Sequence, residues 1–147
     1  MFDQDAEILL VEDSFDDAAF FTRVFNKADL PATLHVASDG KEALDFVYGT
    51  GGHAGRCAGS RPRVIFLDLK LPKLNGMEVL RRLKNDPDTR AIPVVVLTSS
   101  EEECDLIESY ELGANSYLVK PMDFDRLGES VQRASRYWLE LNQTPKR

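Results

Sequence analysis

The chain has 147 residues, of which 43% are hydrophobic and 29% are charged, a composition that fits one domain with its own core. Eighteen lysines and arginines against 25 aspartates and glutamates leave a net charge of −7, and such a surface repels the phosphates of DNA or RNA. No apolar run approaches the roughly 20 residues of a membrane span, and the acidic N-terminus is unlike a secretory signal. We therefore expect residues 1–147 to form one cytoplasmic domain that binds neither nucleic acid nor membrane.

Five short runs of aliphatic and β-branched residues recur along the chain, and each predicts a buried strand. Almost continuously apolar runs are typical of strands that are covered by helices on both faces, as in a parallel sheet. The runs are EILLV (7–11), TLHVA (33–37), RVIFL (63–67), PVVVL (93–97) and SYLV (116–119).

Helical patterns occupy the segments between these runs. An apolar stripe at helical spacing follows Ser14 and extends to Ala28, and capping-box patterns begin at Asp39, Asn75 and Ser100. The last helix is expected over about 123–142. Alternating strands and helices predict a doubly wound α/β domain, in which functional groups lie at the carboxyl ends of the strands.

A glycine-rich insertion at about 49–62 interrupts this alternation. It contains His53 and Cys57 and is longer than most loops that connect a helix to a strand. A mobile insertion and a binding loop are both open, and the lack of a phosphate-loop pattern favours the first. Cys57 and Cys104 lack the spacing of a zinc or redox pair, so we expect free thiols.

Chemically reactive residues follow four of the five strands. They are Glu12 and Asp13, Asp68, Thr98 and Lys120. Three carboxylates at one edge of a sheet repel each other unless a cation neutralises them, and hard oxygen ligands suit Mg²⁺. The alternative is that the acids only begin a helix or lie in a loop. With a hydroxyl and an ammonium at two further strand ends, the metal interpretation is favoured.

This set of residues is suited to phosphoryl transfer onto a carboxylate. Asp68 is the candidate nucleophile, Lys120 the cation for a phosphoryl oxygen and Thr98 a hydrogen-bond donor to another oxygen. The loose transition state needs mainly positioning and electrostatic stabilisation, so no general base is required.

Four motifs at these positions together resemble the receiver domain of two-component response regulators. They are ILLVEDS (8–14), IFLDLKLPKLNGMEVL (65–80), VVLTSS (95–100) and SYLVKP (116–121). The resemblance implies a flavodoxin-like (CheY-like) α/β fold, a five-stranded parallel sheet of order 2-1-3-4-5 with helices on both faces.

The resemblance also implies a role for each site residue. Asp68 is the phospho-acceptor, Glu12, Asp13, Asp68 and the carbonyl of Lys70 hold Mg²⁺, and Thr98 and Lys120 bind the phosphoryl group. A cis peptide is implied between Lys120 and Pro121. On activation Thr98 shifts and Tyr117 turns inward, which changes the face formed by the fourth helix, the fifth strand and the fifth helix. An ordinary half-buried edge aromatic is the alternative for Tyr117.

The expected partner is a sensor histidine kinase, and slow loss of phosphate by autophosphatase activity is implied. The insertion and the long last helix further resemble the single-domain regulators of bacterial phytochrome kinases. No output domain is expected after residue 147, so output is expected through protein contacts. Surplus apolar residues on the last two helices suggest a homodimer or partner face, with a core role for Trp138 as the alternative. The candidate residues are Leu106, Tyr110, Tyr137, Trp138 and Leu141.

Two other classes of function are weighed against this hypothesis. A Mg²⁺-dependent phosphohydrolase of similar fold carries an acid two residues after its nucleophilic aspartate, and Lys70 stands at that position. A degenerate receiver that acts as a constitutive interaction module would not need the acidic residues, Thr98 and Lys120. Both alternatives are therefore disfavoured.

Overall fold

The computed structural model describes residues 6–56 and 61–145, and strands alternate with helices along it. A short 3₁₀ turn, Gly51–His53, follows the second helix, and a π-helical turn, Tyr137–Leu141, follows the last. The strands and α-helices are β1 (Glu7–Val11), α1 (Phe15–Lys27), β2 (Thr33–Ala37), α2 (Gly40–Tyr48), β3 (Val64–Leu67), α3 (Gly76–Asn85), β4 (Val94–Thr98), α4 (Glu103–Glu111), β5 (Ser116–Val119) and α5 (Phe124–Arg136).

The five strands form one parallel sheet of order β2-β1-β3-β4-β5, which confirms the expected topology. β3 and β4 are buried along their whole length, whereas the edge strands β2 and β5 are partly exposed. Since all strands run the same way, their carboxyl ends meet at one edge of the sheet. The residues that follow β1, β3, β4 and β5 therefore converge there.

Alternate residues of the inner strands point to opposite faces of the sheet and form two separate cores. On one face they pack against apolar residues of α2 and α3, such as Phe46 and Leu80. On the other face they pack against α1 and α5, through residues such as Phe21 and Val131. This explains why the strands read as continuous apolar runs in the sequence.

α4 is weakly buried, with Ser109 as its single buried residue. It begins at Glu103, so the predicted start at Ser100 was wrong. The Ser100 hydroxyl donates to Asp105 at 2.6 Å and accepts the Glu102 N–H at 3.3 Å. Ser100 thus closes a turn before the helix instead of capping it.

The C-terminal segment continues from α5 into the π-helical turn. Within this turn Trp138 and Leu139 are buried in the core against α1 and the sheet, whereas Tyr137 and Leu141 are exposed. Of the two interpretations of Trp138, the core one is correct, because only one side of the turn faces the sheet. Trp138 does not belong to an exposed face.

The described part of the glycine-rich insertion packs against β1 and α2. Gly49 ends α2 in the left-handed conformation, with φ 68°. Arg56 donates to both carboxylate oxygens of Glu7, at 3.0 and 3.2 Å, and its guanidinium lies 3.5 Å from the ring centre of Phe46. These contacts lie at the opposite edge of the sheet from Glu12, and Cys57 lies outside the described residues. None of the helices described is both long and apolar enough to cross a membrane.

Candidate functional site

Three carboxylates meet at the carboxyl edge of the sheet. Glu12, Asp13 and Asp68 each place one oxygen so that the three atoms lie within 4.8 Å of one another. Glu12 and Asp68 are only 4% and 9% exposed, whereas Asp13 faces solvent. Residues 56 positions apart in sequence are thus brought together by the adjacency of β1 and β3.

Backbone hydrogen bonds hold the two buried acids in place. The N–H of Glu12 donates to the Ala37 carbonyl at 2.9 Å, and the N–H of Asp68 donates to the Val11 carbonyl at 3.1 Å. These bonds continue the ladders of the parallel sheet past the strand ends. The Asp68 carboxylate also accepts the N–H of Lys70 at 3.2 Å, which fixes its orientation.

The ammonium group of Lys120 lies among the carboxylates. It donates to Glu12, to Asp68 at 3.3 Å and to Asp17 at 3.1 Å, and the lysine side chain is only 12% exposed. The peptide bond between Lys120 and Pro121 is trans, so the expected cis bond was wrong. The trans form is the lower-energy isomer of such bonds.

Burial and ion pairing act in opposite directions on these groups. Burial raises the pKa of Glu12 above its ordinary value, and the hydrogen bond from Lys120 offsets only part of this increase. Burial acts to lower the pKa of Lys120, but the hydrogen bond to Glu12 and the charge of Asp68 outweigh it and raise the pKa. Lys120 therefore stays cationic, and the carboxylates gain from further positive charge.

The donor set fits a hard divalent cation. Three carboxylate oxygens within 4.8 Å, one of them open to solvent, are ligands of the kind that Mg²⁺ or Mn²⁺ accepts. The ammonium of Lys120 offsets only one of the charges. Glu12, Asp13 and Asp68 are thus suited to hold such a cation.

Thr98 and Tyr117 are linked through Ser100. The fully buried Thr98 hydroxyl accepts the Ser100 N–H at 3.3 Å, and the Tyr117 hydroxyl donates to the Ser100 carbonyl at 3.0 Å. The Thr98 carbonyl also accepts the N–H of Lys120 at 2.7 Å. Any displacement of Thr98 therefore affects both the phenol on β5 and the backbone of Lys120.

Asp17 is the site residue that the sequence analysis missed. It lies in the first turn of α1, four residues after Asp13, and its side chain is 43% exposed. An acid in the first turn of the helix that follows directly after Glu12 and Asp13 could have pointed to Asp17. The first turn of a helix often carries acids for other reasons, so the signal is weak.

Most of the candidate interface residues are exposed. All five lie on α4 or the C-terminal turn, and four of them are exposed, with exposed fractions of 37% (Leu106), 51% (Tyr110), 47% (Tyr137) and 72% (Leu141). Trp138, the fifth, is buried, at 9% exposure. The exposed four, together with Ile107, leave apolar surface on α4 and on the C-terminal turn.

Comparison with known proteins identifies the family. A model of the response regulator receiver domain matches residues 8–132. The chain belongs to this family. Receiver domains are signalling proteins that bind a divalent metal and are generally phosphorylated by a histidine kinase, so the expected function and its partner class are confirmed.

Individual relatives span nearly the whole chain. The probable methanogenesis regulatory protein FilR2 of Methanothrix harundinacea is 43% identical over 138 residues, which cover 94% of this chain and 86% of that protein. Response regulator Rcp1 of Synechocystis sp. is 41% identical over 138 residues, which cover 94% of this chain and 92% of Rcp1.

Two solved structures share the fold closely. The Mn²⁺-bound form of Rcp1 has a TM-score of 0.89 at 40% identity and covers 96% of this chain and 99% of its own. The phosphorylated cyanobacterial phytochrome response regulator RcpA also has a TM-score of 0.89, at 35% identity, and covers 97% of this chain and 99% of its own.

Proposed function

We propose that this receiver accepts a phosphoryl group on Asp68, with Mg²⁺ as its cation. The observation that carries the proposal is the convergence of Glu12, Asp13 and Asp68 within 4.8 Å, with the ammonium of Lys120 against two of them. The phosphohydrolase alternative lacks support, because Lys70 stands where that class needs an acid.

Asp68 acts as the nucleophile in this proposal. One of its carboxylate oxygens attacks the phosphorus of a kinase phosphohistidine, forming a P–O bond as the P–N bond breaks and the imidazole leaves with the electron pair. A carboxylate nucleophile has no proton to lose in this step, so no general base is required. Lys120, 3.3 Å from the carboxylate, binds a phosphoryl oxygen, and the Thr98 hydroxyl donates to another.

Glu12, Asp13, Asp68 and the Lys70 carbonyl would hold the Mg²⁺ ion. When bound, the cation neutralises charge on the phosphoryl oxygens. Lys70 already orients Asp68 through its N–H, so its peptide contacts the acceptor directly.

Thr98 and Tyr117 carry the signal away from Asp68 in this proposal. When the Thr98 hydroxyl turns to the phosphoryl group it leaves the Ser100 N–H, and the Ser100 carbonyl that binds Tyr117 is released with it. A phosphoryl group that stabilises one of the two arrangements of these contacts by a few kcal/mol is enough to invert their populations. Water then cleaves the aspartyl phosphate slowly and resets the protein.

The proposed kinase is of the phytochrome type and the proposed location is the cytoplasm. The likeness to RcpA over 97% of the chain supports this pairing. The test compares phosphotransfer from a purified phytochrome kinase and from a kinase that is not a photoreceptor. Equal rates from both kinases would contradict the pairing.

The proposed homodimer uses the exposed residues Leu106, Tyr110, Tyr137 and Leu141. Two-fold association would bury this exposed apolar surface of α4 and the C-terminal turn. Light scattering during size exclusion measures the mass, and Tyr110→Glu should lower it to that of a monomer. A monomeric wild-type protein, with and without phosphorylation, would rule the dimer out.

The acceptor itself is tested by intact-mass spectrometry after incubation with acetyl phosphate and Mg²⁺. We expect one added phosphoryl group on wild type and none on Asp68→Asn. Asp16→Asn is the matched control, because Asp16 is an exposed acid in the first turn of α1. Labelling of Asp68→Asn at the wild-type level would show that another residue is the acceptor. No labelling of folded, Mg²⁺-bound wild type would favour a constitutive interaction module.

A further inference from the structure

Gly40, the first residue of α2, lies against the backbone of the loop that follows Asp68. A Cβ atom at this position would lie 1.9 Å from the carbonyl oxygen of Leu74 and 2.8 Å from its carbonyl carbon. Both atoms belong to the backbone and cannot turn away as a side chain could. Only glycine therefore allows α2 to approach the loop this closely.

Neighbouring groups reinforce this contact. Asp39 caps α2 by accepting the N–H of Glu42 at 2.7 Å, and its other carboxylate oxygen lies 3.4 Å from the ammonium of Lys73. Lys73 adopts the left-handed conformation, with φ 64°, which is costly for a residue with a side chain. The N-terminus of α2 thus contacts the loop beside Lys73, the loop residue in this costly conformation.

The same loop reaches the acceptor at its other end. Its first residues include Lys70, whose N–H binds the Asp68 carboxylate at 3.2 Å, and the Gly76 N–H donates to the Leu69 carbonyl at 2.9 Å. A Cβ on Gly76 would lie 2.2 Å from the carbonyl oxygen of Asp68. Residues 69–75 are therefore held between α3 on one side and α2 on the other, with little freedom to shift.

We propose that the N-terminus of α2, through Gly40 and Asp39, positions the loop 69–75 and so sets the affinity for the divalent cation and the rate at which Asp68 is phosphorylated. Gly40 is a positioning residue, because it touches neither the carboxylates nor Lys120. This inference rests on the proposed function, in which the peptide of Lys70 serves both the cation and the acceptor.

Gly40→Ala tests the proposal, and Gly52→Ala is the matched control. Apart from its two chain neighbours, no described residue has a heavy atom within 4 Å of a Cβ on Gly52, which follows the C-terminal end of α2. Mg²⁺ affinity is measured by titration calorimetry and labelling by acetyl phosphate, at a temperature where circular dichroism shows both variants folded. We expect Mg²⁺ binding about 10-fold or more weaker in Gly40→Ala, with slower labelling, and no change in Gly52→Ala. Lower stability alone would not change either value in a folded sample.

A second pair of variants decides the matter if Gly40→Ala does not fold. Asp39→Asn keeps a good N-cap, whereas Asp39→Ala removes it, and both remove the same negative charge. Because both variants lose the same charge, that loss changes their Mg²⁺ affinities equally. A difference in Mg²⁺ affinity between the two variants therefore reports a change in the position of α2. We expect Asp39→Ala to bind Mg²⁺ several-fold more weakly than Asp39→Asn.

Three results would overturn the inference. The first is a folded Gly40→Ala variant that binds Mg²⁺ and is labelled as well as wild type. The second is an equal Mg²⁺ affinity of Asp39→Ala and Asp39→Asn. In both cases the proposed function would stand. If wild type neither bound Mg²⁺ nor took up label, the proposed function would fall and the inference with it.

Discussion

Lys120→Met removes the one ammonium group that, among residues 6–56 and 61–145, contacts the buried carboxylates. Methionine keeps most of the length and apolar volume of the lysine stem, so the change isolates the charge. Glu12 and Asp68 would remain at 4% and 9% exposure, with only backbone N–H groups as partners among the contacts described here. We therefore expect the variant without metal to be clearly less stable than wild type.

The expected loss follows from the burial of each contact. Leaving one partner of a buried ion pair alone costs about 3–5 kcal/mol. The contact with Asp17 adds little, because that side chain is 43% exposed. Glu12, whose pKa is already raised by burial, can take up a proton and so limit the loss, which places it near the lower end. At about 2–4 °C per kcal/mol, the melting temperature should fall by roughly 6–12 °C.

Thermal denaturation with EDTA and with Mg²⁺ measures this effect. Lys41→Met is the control, because the ion pair of Lys41 with Asp45 is exposed to solvent and its loss should change the stability little. Since the cation no longer competes with an ammonium group, Mg²⁺ should stabilise Lys120→Met more than wild type. If Lys120→Met in EDTA were as stable as Lys41→Met, the charge balance described for the site would be incorrect.

Three further outcomes are expected. Asp13→Asn should reduce the rise in melting temperature on adding Mg²⁺, and an unchanged rise would exclude Asp13 as a ligand. Trp138→Ala should lower the free energy of unfolding, measured by urea denaturation, by about 3–5 kcal/mol, because Trp138 is only 9% exposed. Leu141→Ala should lower it little, because Leu141 is 72% exposed. Similar losses in the two variants would contradict the placement of the turn. Arg56→Lys should lower the free energy of unfolding by about 1–2 kcal/mol in the same measurement, because lysine lacks the planar pair of N–H groups that binds the two oxygens of Glu7. An unchanged free energy of unfolding would show that the positive charge alone suffices.

The core of the site could be predicted because it depends on few physical rules. Glu12, Asp68, Thr98 and Lys120 each follow an apolar run directly, and parallel strands bring such positions to one edge. The order of the strands in the sheet could not be predicted from these rules, because periodicity indicates which face of a strand is buried but not which strands are its neighbours. It came from the resemblance to receivers, and the sheet confirms it.

Other features could not be predicted because they depend on contacts between distant segments. The role of Gly40 follows from its distance to Leu74, and no local pattern shows that α2 meets this loop. Ser100 had the sequence of a helix cap, but its hydroxyl binds Asp105. The sequence left both a core position and an exposed position open for Trp138. The π-helical turn that follows Arg136 places its side chain in the core.

The charge balance of the site links cation binding to phosphorylation. Within the part of the chain that the structure describes, the site holds four carboxylates, those of Glu12, Asp13, Asp17 and Asp68, and one ammonium group, which contacts all of them except Asp13. A divalent cation would therefore reduce the negative excess without removing it. In the proposed function, phosphorylation replaces the single negative charge of the Asp68 carboxylate with a phosphoryl group of about −1.5 to −2 at neutral pH, a net gain of about 0.5 to 1 negative charge. The phosphorylated protein should therefore bind the cation more tightly, and by linkage the cation favours phosphorylation by the same factor. Lys120, held 3.3 Å from Asp68, would be free to bind the phosphoryl oxygens if a cation offset the charge of Glu12.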